Sequence, residues 1–202
     1  MQLYAITDRQ LFARPEGLIK QVALWAEGGV DFIQIREKDL TAAELAELTT
    51  RLVRTVRTVG SSRTRVLLNG PAQMAAETGC DGIHLTADHP PSTITEVKAA
   101  IGGANPVVSV SCHTLWDIER ARDHSGTLAI FAPVFEKRSG VGTIAGQGLD
   151  ALSAACQLAG PMPLFALGGV NAENADVCIR AGAAGIAAIR LFVSPDWRKL
   201  RR

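Results

Sequence analysis

The sequence predicts an α/β fold, a single (β/α)8 TIM barrel spanning residues 1–202, and three observations carry that prediction. Apolar, strand-like runs alternate with amphipathic helical runs along the chain, the order expected of parallel strands joined by helices. A local pattern then recurs at the entry to every second strand. It reads Glu27-Gly28-Gly29-Val30-Asp31-Phe32, Thr78-Gly79-Cys80-Asp81-Gly82-Ile83, Ser125-Gly126-Thr127-Leu128 and Ala181-Gly182-Ala183-Ala184-Gly185-Ile186. Each copy holds a glycine able to take the left-handed turn that ends a helix, then small or polar residues, then a buried strand. Four copies, each followed by a further helix and strand, make about eight βα units, the count a closed barrel needs. The length sits at the lower edge for that fold, so the connections must be short. An open doubly wound sheet is the competing arrangement.

In chain order, the strands are expected at Gln2–Ile6, Phe32–Arg36, Arg65–Asn69, Gly82–Leu85, Val107–Ser111, Leu128–Ala132, Leu164–Leu167 and Gly185–Arg190. Helical spacing of apolar residues marks Leu18–Glu27 and Ala42–Val59, the second opened by a capping box of Thr41 and Glu44. Shorter helices are expected over Ala72–Thr78, Ser92–Ile101, Leu115–Asp123, Leu149–Leu158 and Asn174–Ala181.

Composition narrows the function. A 47% hydrophobic content supports a sizeable core, and a net charge of +1 makes no electrostatic case for nucleic acid or a membrane surface. The basic end, Arg198-Lys199-Leu200-Arg201-Arg202, reads as a short solvated terminus. Cys80, Cys112, Cys156 and Cys178 are widely spaced, as expected of reduced, buried residues in a cytoplasmic protein rather than of a disulfide or zinc set. Leu3-Tyr4-Ala5-Ile6 already looks like a strand rather than a leader, and no apolar run is long enough to span a bilayer.

A barrel carries its chemistry on the loops at the carboxyl ends of its strands, so the residues to inspect follow from the strand assignment. After the first strand stands Thr7-Asp8-Arg9. In Gln34-Ile35-Arg36-Glu37-Lys38, alternation puts Gln34, Arg36 and Lys38 on one side, where a fork and a point charge suit a diphosphate. The alternative there is an ion-pair layer with Glu37 and Asp39. Asn69-Gly70 follows the third strand. His84, after it Asp88 and His89, lacks a metal-ligand spacing and reads equally as a core histidine or a catalyst. Ser111 in Ser111-Cys112-His113-Thr114 is placed to donate to a phosphate or to cap the next helix. The longest glycine-rich connection, Pro133 to Gly148 with Lys137 and Arg138, is the candidate flap over an anionic substrate. Gly168-Gly169 directly after a buried strand leaves backbone N–H groups bare for an anion, with Asn171 or Asn174 as helix cap and Ile189-Arg190 close by. The alternative is a packing glycine without a ligand.

Six segments together resemble the thiamine-phosphate synthase family and its relative, the thiazole tautomerase. They are Leu3-Tyr4-Ala5-Ile6-Thr7-Asp8, Gln34-Ile35-Arg36-Glu37-Lys38, Gly82-Ile83-His84-Leu85, Val110-Ser111-Cys112-His113-Thr114, Pro133-Val134-Phe135 and Ala166-Leu167-Gly168-Gly169-Val170. The resemblance implies a barrel enzyme that joins a hydroxymethylpyrimidine diphosphate to a thiazole phosphate, releasing pyrophosphate, with magnesium as cofactor. It implies that Gln34, Arg36, Lys38 and Asn69 hold the diphosphate substrate and that Ser111 contacts the pyrimidine. Gly168 and Gly169, with the Ile189-Arg190 turn, would hold the thiazole phosphate. Arg36, Lys38, Lys137 and Arg138 would stabilise the leaving pyrophosphate. The family's two magnesium-binding aspartates fall at Gly70 and His89, which leaves Asp88, one residue along, as the candidate metal ligand. The lid residues align with Lys137, Ser139 and Gly140, and the tautomerase's histidine aligns with Pro133. Small phosphorylated molecules are therefore the expected partners, with neither nucleic acid nor a membrane, and a homodimer is compatible with the family. Thiazole tautomerisation, or non-catalytic recognition of thiamine-pathway phosphates, are the alternative functions.

Overall fold

The computed structural model describes residues 1–59, 63–90, 93–102, 105–139 and 142–201, with the side chains of residues 15, 138, 139 and 201 outside the description. Eight parallel strands form a closed barrel in which strand β1 (Gln2–Ile6) has β2 (Phe32–Ile35) on one side and β10 (Gly185–Ala188) on the other. Around the ring follow β3 (Arg65–Leu68), β4 (Gly82–Leu85), β5 (Val107–Cys112), β6 (Leu128–Phe131) and β9 (Leu164–Ala166). The Cα partners of Tyr4 are Phe32 and Ala187, so first and last strands meet in register and the open-sheet alternative is excluded. The strands β7 (Lys137–Ser139) and β8 (Gly142–Ile144) stand apart as an antiparallel pair.

Alternation along the strands sorts the core into two regions. Tyr4, Ile6, Leu67, Leu128, Ile130, Phe165 and Ala187 fill the barrel interior, while Leu3, Ala5, Ile33, Ile35, Val66 and Leu68 face the helices. The helices are α1 (Pro15–Glu27), α2 (Ala42–Thr58), α3 (Ala72–Glu77), α4 (Thr93–Ile101), α5 (Leu115–Asp123), α6 (Gly148–Ala159), α7 (Ala175–Arg180) and the single turn α8 (Arg190–Val193). The Thr41–Glu44 capping box opens α2 as expected, and an unexpected second one, Thr114 with Asp117, opens α5. Thr114 therefore takes the capping role that was one of two readings of Ser111. Ser92, expected to start a helix, lies outside the described residues.

The recurring entry pattern has a structural meaning in three of its copies. Asp31 Oδ2 accepts from Leu3 N at 2.8 Å, Asp81 Oδ2 from Val66 N at 2.7 Å, and Thr127 Oγ1 from Val108 N at 2.8 Å. The side chain before each even strand thus receives a backbone N–H at the start of the strand before it. Gly29, Gly79 and Gly182 take positive φ as expected, but in the third copy Ser125 does so (φ 65°) in place of Gly126. Gly126 is needed for room, since a Cβ there would lie 2.8 Å from the Ala121 carbonyl oxygen.

Most expected strands run a residue or two long at their carboxyl ends. Arg36, Asn69, Ala132 and Leu167 lie just beyond the ladder, and Arg190 opens α8 rather than ending β10. The ends remain tethered: Asn69 N donates to Ile35 O (2.9 Å), Ala132 N to Cys112 O (3.1 Å) and Leu167 N to Phe131 O (3.0 Å). The basic terminus is also more than solvated chain. Arg198 and Lys199 are exposed, yet Trp197 is 1% exposed and Leu200 packs against the core within a 3-10 turn, Pro195–Arg201. Arg202 lies outside the described residues. From α1, Trp25 Nε1 and Gln21 Nε2 both donate to Phe192 O at 2.9 Å, which seats this segment against the first helix. All four cysteines are free; Cys80, Cys112 and Cys178 are buried as expected, whereas Cys156 is half-buried. Among the described residues no helix is long and apolar enough to cross a membrane.

Replacing Trp197 by alanine should cost about 3–5 kcal/mol, because a large, fully buried ring leaves a cavity that surrounding atoms only partly fill. Urea unfolding of the variant beside the parent checks the value.

Candidate active site

A cavity of about 690 Å³ opens at the carboxyl ends of the barrel strands. Gln34, Arg36, Lys38, Asn69, Ser111, Lys137, Gly168, Gly169, Ile189 and Arg190 all line it, which brings together every sequence-derived site residue except Arg138 and Asp88. The backbone of Arg138 pairs with Thr143 in the β7–β8 hairpin, and its side chain lies outside the described residues. The expected lid positions Ser139 (side chain) and Gly140 lie there too. Asp88 is exposed and is not among the lining residues.

The cationic wall is defined by where the neighbouring carboxylates go. Glu37 is 5% exposed and accepts from Thr7 Oγ1 at 2.6 Å and from Arg9 N at 3.1 Å through both oxygens. Arg9 also pairs with Asp39. Burial raises the Glu37 pKa, opposed by the Thr7 and Arg9 hydrogen bonds. The ion-pair layer anticipated for Arg36 and Lys38 exists, but Arg9 forms it. Among the described residues neither Arg36 nor Lys38 makes an ion pair, and both line the cavity. Thr7 Oγ1 additionally accepts from Arg36 N at 3.0 Å, which fixes the backbone under the guanidinium.

Gly168 and Gly169 combine both readings open to them. Their φ values are 98° and 65°, and a Cβ on Gly169 would fall 2.5 Å from Glu136 O. A Cβ on Gly168 would fall 2.7 Å from Pro133 Cα. The turn is pressed against the start of the flap, where Val134 N donates to Leu167 O and Phe135 N to Gly168 O, both at 2.9 Å. It also faces the cavity. Asn171 Oδ1 caps the following turn by accepting from Glu173 N (2.8 Å) and Asn174 N (3.0 Å), while Asn174 Nδ2 donates to Gly169 O (3.0 Å). Asn174 occupies the N-cap position of α7 without a side-chain cap bond. The flap is a short antiparallel hairpin in which Lys137 and Ile144 are Cα partners, and both line the cavity. Strands of three residues are too short to show a period, so the sequence reads there only as a glycine-rich connection.

The floor is polar. Tyr4 and Ser109, both fully buried, join Gln34, His84 and Ser111 in one hydrogen-bonded group. Sequence reasoning missed Tyr4 and Ser109, although the alternation of Ser109 and Ser111 in Val107-Val108-Ser109-Val110-Ser111 marks an inward polar face. Burial, then the charge of Arg36, pushes the His84 pKa down to about 3, so the ring is neutral. At the rim, His113 Nδ1 donates to Ala132 O at 2.8 Å, and His113 lines the cavity.

The two positions where the resemblance expects magnesium-binding aspartates carry no carboxylate. Gly70 offers no side chain, and His89 is 6% exposed with Nδ1 donating to Thr86 O at 2.8 Å. The exposed Asp88 carboxylate has its pKa lowered first by a hydrogen bond from the Thr86 side chain; Thr86 and Ala87 line the cavity, and Asp88 is not among the lining residues. Among the described residues no group of three or more His, Cys, Asp or Glu is placed to hold a metal ion. Octahedral magnesium held by protein and diphosphate ordinarily takes one or two carboxylates, and here the lining carboxylates are Asp8, which accepts from Gln10 N, and Glu136.

Two outcomes follow from this geometry. Gly169→Ala should lower stability by about 1–3 kcal/mol, from the positive φ and the contact with Glu136 O, besides any effect on binding. A binding-only glycine would leave the melting temperature unchanged. The second concerns pH. His84 binds a proton near pH 6.5 when unfolded but only near 3 when folded, so stability is lost as pH falls through that window. His84→Gln should flatten that part of a melting-temperature profile.

Comparison with known proteins bears on the family and the fold. The family model described as thiamine monophosphate synthase matches residues 3–192. A protein of Geobacter sulfurreducens, provisionally named a thiamine-phosphate synthase, is 33% identical over 201 residues, covering 99% of this chain and 91% of its own. Thiamine-phosphate synthase of a Roseiflexus species is 30% identical over 195 residues, 96% of this chain and 79% of its own. The solved structure of thiamine phosphate pyrophosphorylase from Pyrococcus furiosus has a TM-score of 0.80 over 99% of this chain and 93% of its own, at 24% identity, which speaks for the fold. With the family matched across almost its whole length, this chain belongs to the thiamine monophosphate synthase family of transferases.

Proposed function

We propose that this cavity couples hydroxymethylpyrimidine diphosphate to thiazole phosphate, as a cytoplasmic enzyme acting on small phosphorylated molecules. One observation carries the reading: the carboxylates beside Arg36 and Lys38 are occupied by Arg9 and Thr7, so both cations line the cavity without an ion-pair partner among the described residues. A diphosphate supplies the missing charge, with Arg36 as a fork and Lys38 as a point charge. Across the mouth, Gly168, Gly169 and Arg190 suit the phosphate of the second substrate, the position barrels commonly use after their last strands.

In the coupling step, the bond between the pyrimidine methylene carbon and the diphosphate oxygen breaks, and its electron pair leaves with pyrophosphate. The thiazole nitrogen lone pair forms the new carbon–nitrogen bond. Negative charge builds on the leaving group, where Arg36, Lys38 and the hairpin residue Lys137 stabilise it, with Arg138 of the same hairpin assigned to the same task. Because the residues at the family's magnesium positions do not fit the ion, these cations are assigned the neutralising role. A second reading, proton transfer on the thiazole phosphate alone, draws on His113. Its bond to Ala132 O sets an imidazole next to Pro133, where the tautomerase relatives carry their histidine.

Arg36→Ala should raise the dissociation constant of a diphosphate ligand by roughly tenfold or more, since such charge-assisted contacts contribute about 1.5–3 kcal/mol each. Calorimetric titration of the folded variant checks this, and unchanged affinity with a lowered melting temperature would return Arg36 to a structural role. The function itself is tested by supplying both precursors and measuring thiamine phosphate and pyrophosphate, with and without a chelator. Turnover is expected to persist in the chelator and to fall at least about tenfold when Lys137 and Arg138 are both replaced by alanine. Magnesium-dependent turnover that vanishes in Asp88→Ala would overturn the assignment of neutralisation to the hairpin. Binding of both precursors without product would identify a non-catalytic binder.

A further inference from the structure

Five side chains cross the barrel floor in one unbroken chain. Gln34 on β2 and Ser111 on β5 are its ends, and both line the cavity. Between them Tyr4 OH lies 3.1 Å from Gln34 Oε1 and 3.2 Å from Ser109 Oγ. His84 Nδ1 lies 2.8 Å from Ser109 Oγ, and His84 Nε2 lies 2.8 Å from Ser111 Oγ.

Counting protons ties the direction of every bond to one choice, which end of the Gln34 amide faces Tyr4; here it is the carbonyl oxygen. The Gln34 carbonyl oxygen only accepts, so the single Tyr4 proton points to it. The contact between Tyr4 and Ser109 then uses the Ser109 proton, which leaves none for His84. His84 Nδ1 must therefore carry the ring proton and donate to Ser109. In a neutral ring Nε2 is then bare, and it accepts from the Ser111 hydroxyl. Burial and the nearby Arg36 charge keep this ring neutral. At the cavity, Ser111 is left with lone pairs only. Gln34 is left with its amide N–H groups, which have no protein partner among the described residues although the side chain is 1% exposed. Turning the Gln34 amide over would reverse all four bonds and make Ser111 the donor.

We propose that Tyr4, Ser109 and His84 are positioning residues of a polarity relay, which couples the hydrogen-bonding sense of Gln34 to that of Ser111. In this wiring the cavity takes a heteroaromatic ring that offers an acceptor toward Gln34 and a donor toward Ser111. A pyrimidine bearing an amino group beside a ring nitrogen offers that pair, and its oxo analogue offers the reverse. The identity of the ring rests on the diphosphate reading above; the relay rests on the five side chains alone.

The test separates the two. Nitrogen-15 spectra of the histidine-labelled, ligand-free protein should show His84 as the neutral Nδ1–H tautomer. In Tyr4→Phe, which keeps the ring packing against Phe32 and Phe165, the Nε2–H form should appear. Titrations then use inorganic pyrophosphate, an aminopyrimidine methyl diphosphate and its oxo analogue. The parent protein should favour the amino compound by roughly tenfold or more, and Tyr4→Phe should erase most of that preference while pyrophosphate binds equally. A tautomer that Tyr4→Phe leaves unchanged, or a preference that survives Tyr4→Phe, overturns the relay, and an Nε2–H tautomer in the parent overturns the wiring drawn here. Pyrophosphate binding with neither pyrimidine bound, alongside the expected tautomer change, upholds the relay and overturns the pyrimidine reading. Should Tyr4→Phe fail to fold, Ser109→Ala breaks the same chain and is read in the same two ways.

Discussion

Closure of the barrel is the constraint on which the rest depends. The first strand pairs with the last, so the loop entropy of nearly the whole chain is spent before this contact forms. The pairing is made possible by close backbone approach. At Gly185 a Cβ would fall 2.2 Å from Gln2 O, and at Gly82 it would fall 1.8 Å from Val107 O. Glycines at the entry of alternate strands therefore serve two needs, the left-handed turn that ends a helix and the room for strands to meet. The C-terminal turn completes the seal, with Trp197 stacked under Gly28 and the Phe192 carbonyl gripped by two donors from α1.

Once the ring is closed, its mouth collects charge, and the arrangement of that charge is selective. Arg9 takes the carboxylates of Glu37 and Asp39, and Thr7 ties Glu37 to the Arg36 backbone. An exposed pair such as Arg9–Asp39 contributes at most about 1 kcal/mol, so its consequence lies less in stability than in what it leaves unpaired. Arg36 and Lys38 stand just beyond the end of β2 without an ion-pair partner among the described residues, an arrangement that favours an anion. The glycine turn opposite works by the same economy of space. Gly168 and Gly169 lie against the base of the hairpin because they have no side chain, and for the same reason they leave that wall of the cavity bare.

The polar floor sits below this electrostatic rim and differs from it in kind. Rim cations attract charge over several ångströms, whereas the floor is largely buried and its bonds share one sense. A buried polar group without a partner is costly, so the chain from Gln34 to Ser111 holds together only when all its bonds agree. Charge at the rim and direction at the floor divide recognition between an anionic tail and a ring.

Much of this was legible in the amino-acid sequence, for identifiable reasons. Period-two apolar runs, period-3.6 helices and the four glycine-led entries are local signals, and they determined the barrel and the positions of its strand ends. Because barrel chemistry sits at strand ends, the same reading located Gln34, Arg36, Lys38, Asn69, Ser111 and the Gly168-Gly169 turn along one cavity wall or another. What the sequence could not express was partnership across the ring. Whether Glu37 served Arg36 or Arg9, whether Gly169 made room for a ligand or for Glu136, and where Asp88 lay relative to the mouth were each decided by contacts between distant segments. Tyr4 read as an ordinary strand aromatic until closure set its hydroxyl against Gln34 and Ser109, residues from two other strands. Local periodicity determines which face a side chain occupies; only the tertiary structure decides what that face meets, because the meeting depends on register around a closed ring.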